Sequence, residues 1–246
     1  MWPDAHSPDS LRLASAGANG DPRSGTRDPL VSCAEEAGPL AVTLDPIEVD
    51  PTRQEPPLAW TDLFGNDHPV EVELGCGKGM FLVGAAALNP EYNFLGNERA
   101  RKYYRRAVQR LSRAGLPNVR MMGGDGADLL ARWIAPGSVA VLHIYFPDPW
   151  PKKRHHKRRI FRPEVLELAH RALGPGGEFR LATDHAPYRE VIEALFDAHL
   201  HLFAPLPWDQ TGPAQLPSNY SLKWQRAGRP LWWARFSAVP RTSPGC

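Results

Sequence analysis

An α/β fold with a mostly parallel sheet is predicted by three observations. Short apolar runs alternate with segments of helical period from residue 70 onward. A glycine-rich turn, Gly75-Cys76-Gly77-Lys78-Gly79, joins the first run to a helical segment. Residues 139–146 are apolar almost throughout, as suits a central strand covered on both faces. Such a sheet holds its ligand at the carboxyl ends of its strands.

The elements follow in order. Residues 70–74 (VEVEL) form a short strand, and a helix follows the glycine turn around residues 80–88. Residues 93–97 are a second strand. Residues 99–114 read as a helix ended by Gly115 and Pro117. Residues 119–123 are a third strand, 127–134 a short helix, and 139–146 the central strand. In 163–173 a proline opens the helix, Val165, Leu168, Ala169 and Ala172 keep its period, and Gly174-Pro175-Gly176-Gly177 stops it. A strand over 178–183 and an amphipathic helix over 187–198 come next. The alternation at 231–239 makes a final strand, in which Trp232 and Trp233 serve as core or arm contacts.

The 246 residues suit one large domain with an extended arm. No apolar run approaches the ~18 residues of a membrane helix, and the start of the chain carries no basic and apolar leader, so no membrane association or secretion is expected. Cys33, Cys76 and Cys246 lack ligand or framework spacing. That argues against a disulfide scaffold or a bound metal and for a reducing, cytoplasmic setting. The net charge of +2 hides a separation: residues 1–69 carry 4 basic and 12 acidic residues, residues 70–246 carry 25 and 15. A basic domain behind an acidic arm points to a polyanionic partner. Residues 1–38, rich in Pro, Gly and Ser without apolar period, are expected to be disordered. Residues 39–69 gain apolar anchors and are expected to form an ordered arm on the domain of residues 70–246.

The glycines of GCGKG let the backbone turn sharply and approach a ligand. Met80 stands where a dinucleotide fingerprint needs its third glycine. Glu73, just before the loop, suits an ammonium or sulfonium better than a pyrophosphate. Glu98, 21 residues after Gly77, closes the second strand, where a carboxylate accepts both ribose hydroxyls. Asp125 follows the third strand, within reach of an adenine amino group. This set of Gly75 and Gly77 with Glu73, Glu98 and Asp125 resembles the class I S-adenosylmethionine-dependent methyltransferases. Cys76 reads as a packing residue.

After the central strand comes Phe146-Pro147-Asp148-Pro149-Trp150-Pro151, then eight consecutive Lys, Arg and His residues, 152–159. The prolines restrict the backbone around Asp148 and end the strand. The basic run is an anion-binding stretch, and Trp150 can stack on a base. Its His pair reads as RNA-facing or exposed. Seven further Lys and Arg residues lie in 99–113, spread around most of a helix, so that some are plainly solvated.

FPDPWPKKRHHKRRI, with ATDHAPY at 182–188 and PVEVELGCGKG with GNERA, resembles the bacterial-type tRNA (guanine-N7-)-methyltransferases over residues 60–236. The resemblance implies a Rossmann-like class I methyltransferase fold, with a mostly parallel seven-stranded sheet and helices on both faces. It implies S-adenosyl-L-methionine as cofactor, tRNA as partner and a variable-loop guanine as the methyl acceptor. Glu73, Gly75, Gly77, Glu98, Asp125 and Asp148 would bind the cofactor, and Asp148 would be the catalytic centre. Lys152 and Asp184 would contact the substrate, with Arg154, Lys157, Arg158, Arg159 and Ser221 beside them. Where the family carries T-x-x-E, this chain has Ser221-Leu222-Lys223-Trp224; Ser221 can replace the threonine hydroxyl, while Trp224 reads as a packing residue.

Two alternatives stand beside this reading. One is methylation of another RNA position, such as adenine N6, which the identity of the methylated nucleoside separates. The other is a non-catalytic RNA-binding module, against which the complete set of acids argues. No pattern distinguishes a monomer from a homodimer.

Overall fold

Residues 46–207 and 230–241 are described by the computed structural model. Apolar alternation and glycine punctuation produce seven strands: β1 Val70–Leu74, β2 Asn93–Glu98, β3 Val119–Gly123, β4 Val139–Tyr145, β5 Leu173–Thr183, β6 Phe203–Leu206 and β7 Trp232–Ala238. They form one sheet in the order β3-β2-β1-β4-β5-β7-β6, with β7 antiparallel to β5 and β6 and the remaining pairs parallel. This is the predicted Rossmann-like arrangement. The strand order reverses between β1 and β4, which opens a crevice at their carboxyl ends.

The helices are α1 Trp60–Phe64, α2 Met80–Leu88, α3 Arg101–Ala114, α4 Gly126–Asp128, α5 Pro163–Ala172 and α6 Ala186–Asp197. Phe81 and Leu82 of α2 and Ala107 and Leu111 of α3 pack with Phe94, Val119 and Met121 on one face. Val165 and Leu166 of α5 and Ile192 and Phe196 of α6 pack with Leu142, Phe179 and Leu181 on the other. Covered from both sides, every residue of β1 is buried, Glu71 and Glu73 included. The parity of the strand points Val70, Val72 and Leu74 into one apolar cluster and leaves both glutamates on the opposite face.

Residues 46–69 lie along this sheet. Met121 N–H donates to Ile47 O and Val49 N–H to Met121 O, both at 2.8 Å, which clips the chain to the free side of β3. Leu58 N–H donates to Trp133 O, and Trp60 Nε1 to Ser138 O at 3.1 Å. Arg120 crosses from β3 to stack on Phe64, 5.2 Å from the ring centre, and donates to Leu63 O.

Several elements differ from expectation. The helix expected over 127–134 is a turn of α4 followed by a π-helical turn, Leu129–Trp133, which buries Leu129, Leu130 and Trp133. The Gly174–Gly177 segment does stop α5, but the chain enters β5 at once through an irregular register, with Val139 opposite Leu173 and Val141 opposite Glu178. β6, α1 and a 3-10 helix over Lys153–Arg158 were not predicted. No helix among the described residues is long and apolar enough to cross a membrane. The expected disorder of residues 1–38 falls outside the described residues, as do Ser221 and Trp224.

Candidate functional site

The crevice at the reversal point is a cleft of about 340 Å³. Its floor begins with the loop after β1, where Gly75, Gly77 and Gly79 take left-handed φ angles of +71°, +59° and +68°. Gly75 N–H and Cys76 N–H both donate to Asn97 O, at 2.9 and 3.0 Å, so the loop is tied to the end of β2. A Cβ on Gly75 or Gly77 would meet no atom within 4 Å and would project into open space. At Gly79 it would come within 3.2 Å of Ala107 Cβ, so this glycine serves the contact of α2 with α3 instead. Cys76 is buried against Met121, and burial pushes its thiol well above the ordinary range. It packs, as the sequence suggests.

Three of the four expected acids line the cleft, namely Glu98, Asp125 and Asp148. Glu98 ends β2 with Oε2 accepting from Gly77 N–H at 2.9 Å and Oε1 from Ala100 N–H at 2.7 Å. Burial raises its pKa, against the opposing effect of those amides. Each oxygen keeps lone-pair capacity for a further donor. Asp125 caps α4 through Oδ1, which accepts from Ala127 N–H at 3.0 Å, and its Oδ2 lies 3.6 Å from Arg99 in an exposed pair. Asn97 ties the floor together by donating to Met122 O and Gly124 O.

Glu73 sits elsewhere. It is 4% exposed, lies outside the cleft lining, and its Oε2 has no hydrogen-bond partner. Burial, aided by the Glu98 charge, lifts its pKa from 4.5 to about 8. In register with it on β4 is His143, wholly buried, whose Nε2 lies 2.8 Å from Glu71 and Nδ1 2.8 Å from the Tyr145 hydroxyl. Burial depresses the His143 pKa and raises that of Tyr145. A neutral imidazole completes both bonds, with Nε2–H donating to Glu71 and Nδ1 accepting from Tyr145. Tyr145 carries this network to the cleft wall.

The opposite rim is the loop after β4. Phe146 and Trp150 adopt φ of +51° and +42°, which bulky residues avoid at a cost of ~1–2 kcal/mol each. The surroundings impose this shape. Phe146 N–H donates to Ala182 O at 2.8 Å. Arg159 Nε donates to Pro149 O at 2.9 Å, and the guanidinium stacks on Tyr188 at 4.9 Å. Arg158 lies over the Trp150 ring, 5.0 Å from its centre. Asp148 stands at the crest, facing the cleft.

The structure therefore divides the basic run. Lys152, Arg154, Lys157 and Arg158 are exposed on or beside the 3-10 helix, whereas Arg159 turns inward as a brace for the loop. Asp184 follows β5, half-buried. Trp233 packs edge-on against Tyr145 and Phe146, and Trp232 stacks with Arg189. Sequence reasoning did not single out Asn97, Tyr103 or Tyr145 as cleft residues. The first lay inside the quoted GNERA motif, the second one helical turn beyond it. No three His, Cys, Asp or Glu side chains converge as metal ligands among the described residues.

The cleft fits S-adenosylmethionine by its own chemistry. Its floor glycines leave room for a ligand, a carboxylate with spare acceptor capacity ends β2, and a buried carboxylate oxygen behind the loop lacks a donor.

A family model described as "Putative methyltransferase" matches residues 67–234. A tRNA (guanine-N(7)-)-methyltransferase from Streptomyces coelicolor is 44% identical over 138 residues, covering 56% of this chain and 51% of its own length. The protein of the same name from Lactococcus lactis subsp. cremoris is 34% identical over 188 residues, covering 74% and 86%. The chain thus spans about half the length of the first relative and most of the second. Among solved structures, a 16S rRNA (adenine(1408)-N(1))-methyltransferase from Catenulisporales acidiphilia superposes with a TM-score of 0.53 at 17% identity, covering 76% of this chain and 92% of that one. That similarity concerns the fold.

Proposed function

Since the chain belongs to the tRNA (guanine-N7-)-methyltransferase family, we propose that it transfers the methyl group of S-adenosylmethionine to N7 of a guanine in the variable loop of tRNA. The observation that carries this reading is the placement of Asp148. It lines the cleft from a braced, strained loop, in the same cavity as Gly75, Gly77 and Glu98.

Glu98 would accept the ribose hydroxyls with the lone pairs its backbone amides leave free, and Asp125 would take the adenine amino group. Gly75 and Gly77 keep the floor clear of side chains. Glu73 would provide a negative charge behind the loop for the cationic end of the cofactor; burial keeps it protonated until a cation is near. The bound cofactor supplies an electrophilic methyl group on a sulfonium. Guanine N7 has a free lone pair, so no base is needed to activate it. Positive charge passes to the purine during transfer, and the Asp148 carboxylate stabilises it where it develops. Asp148 or Asp184 would also select guanine by accepting from its N1–H and amino edge. Trp150, fixed by Arg158, offers a ring face at the rim. Lys152, Arg154, Lys157 and Arg158 hold the phosphates, and Ser221 adds a hydroxyl to the substrate side. Orientation of the two reactants in line provides the remainder of the acceleration.

The test is incubation with methyl-labelled cofactor and unmodified tRNA, followed by nucleoside analysis. Label in 7-methylguanosine is the expected result. Label in N6-methyladenosine alone, or RNA binding without transfer, overturns the assignment.

A further inference from the structure

The first two turns of helix α3 run against the local electrostatics of a helix, and the cleft does not account for it. Its sequence, RKYYRRAVQRLSRA, contains no acidic residue. Arg101 and Lys102 occupy the first turn, where the helix dipole disfavours cations, and no side chain caps the end. Arg101 and Arg105, and Lys102 and Arg106, are like-charged pairs at i, i+4, which repel. Packing of Ala107, Val108 and Leu111, with the Tyr104 hydroxyl donating to Met121 O, holds the helix on the sheet.

The outward face is strongly cationic. Arg101, Lys102, Arg105, Arg106 and Arg113 are exposed, and none is paired with a carboxylate among the described residues. Outside this helix and the 152–158 stretch, several arginines are paired. Arg189 pairs with Glu193 at 2.8 Å on α6, and Arg180 and Arg235 share Glu178 at 2.8 and 3.1 Å. The charges are strung along about 18 Å of helix, at about 1.5 Å per residue, without forming a pocket. That geometry suits an extended polyanion rather than a single small anion. Its position is equally specific, because Arg99 and Tyr103, at the start of the helix, line the cleft on the side opposite Trp150 and Arg158.

We propose that the exposed face of α3 is a second phosphate-tracking surface, gripping the RNA backbone on the β2 side of the cleft while the 152–158 stretch grips it on the β4 side. The inference rests on the RNA reading given above. It makes the cleft a saddle between two cationic walls, and it assigns α3 to affinity and placement rather than to the reacting atoms.

The test uses the full chain with Arg101→Gln, Lys102→Gln, Arg105→Gln and Arg106→Gln combined. Binding of unmodified tRNA is measured by fluorescence anisotropy across a salt series, beside methylation kinetics. Four lost phosphate contacts flatten the slope of log affinity against log salt by about 3. KM for tRNA rises at least about tenfold, kcat at saturating tRNA holds, and thermal stability stays level or improves as the repulsion is relieved. A variant with Arg101→Lys, Arg105→Lys and Arg106→Lys keeps the wild-type slope. An unchanged slope in the glutamine variant overturns the proposal. A fall in stability with the slope unchanged shows a structural role for these side chains and likewise overturns it. The slope is read whether or not methyl transfer occurs. Wild-type protein that binds tRNA with the α3-dependent slope but does not methylate it sinks the activity and leaves this surface standing.

Discussion

Two loops frame the cleft, and they reach left-handed backbone conformations in opposite ways. The loop after β1 does so with Gly75, Gly77 and Gly79, for which positive φ carries little strain. The loop after β4 does so with Phe146 and Trp150, for which it is unfavourable, and relies on Ala182, Arg159 and Tyr188 to hold the shape. The first loop is shaped by its own composition. The second is shaped by partners 10 and 36 positions away in the chain, counting from Pro149 to Arg159 and from Phe146 to Ala182. On the proposed function, the floor that accepts the cofactor is built locally, whereas the carboxylate that would meet the purine is held from several directions.

The sharpest way to break this comparison is Asp148→Ala. We expect loss of at least about 100-fold in kcat, the scale of removing one preorganised charge-stabilising group, with tRNA affinity retained. Near-normal turnover would show that the second loop only shapes the cleft. Next is Arg159→Ala, which removes the brace without touching the crest. A fall in kcat of about tenfold, within the range that misplacement of a reacting group produces, should appear with cofactor affinity unchanged. Equal losses in cofactor binding would mean that the loops are not independent.

Gly77→Ala probes the other side. Strain of ~1–2 kcal/mol and a methyl group in the cleft should weaken cofactor binding, measured calorimetrically, by about tenfold or more, while kcat at saturation changes less. If cofactor affinity is untouched, the glycine is a turn residue only.

The smallest effect concerns Glu73 and pH. In the folded protein without cofactor its carboxyl keeps a proton to about pH 8, whereas the unfolded chain releases it near 4.5. The folded state therefore binds the extra proton between those values, and stability falls as pH rises through that window and levels off above it. Glu73→Gln should melt at a progressively higher temperature than wild type from pH 5 to pH 8, with no advantage below 4.5. Melting curves that stay parallel across the window would show that the buried carboxylate is stabilised by a group not accounted for above.

Much of this was legible in the chain. Glycine and proline punctuation placed β1 through β5, and the spacing from Gly77 to Glu98 put the second acid where the structure has it. What was hidden has physical reasons. β6 is four residues long and contains Pro205, too short and too interrupted to show a period. The Gly174–Gly177 segment has the composition of a breaker yet enters the sheet, because a bulge against β4 absorbs its irregularity. Arg159 looks like its basic neighbours in composition, and only the fold reveals that it points inward. Glu73 was read as a cofactor-binding acid from its place beside the glycines; the fold buries it behind the lining, in register with His143 and near enough to Glu98 for their charges to interact.

The clip of Ile47 and Val49 on β3 has a bearing on solubility. A parallel sheet that ended at β3 would leave a row of amides and carbonyls able to recruit a strand from a neighbouring molecule. By donating its own backbone to Met121, the stretch before α1 seals that flank, and the short proline-bearing β6 offers little purchase on the other. With one edge of the sheet covered and the other cut short, a neighbouring molecule finds little free backbone on which to add a strand.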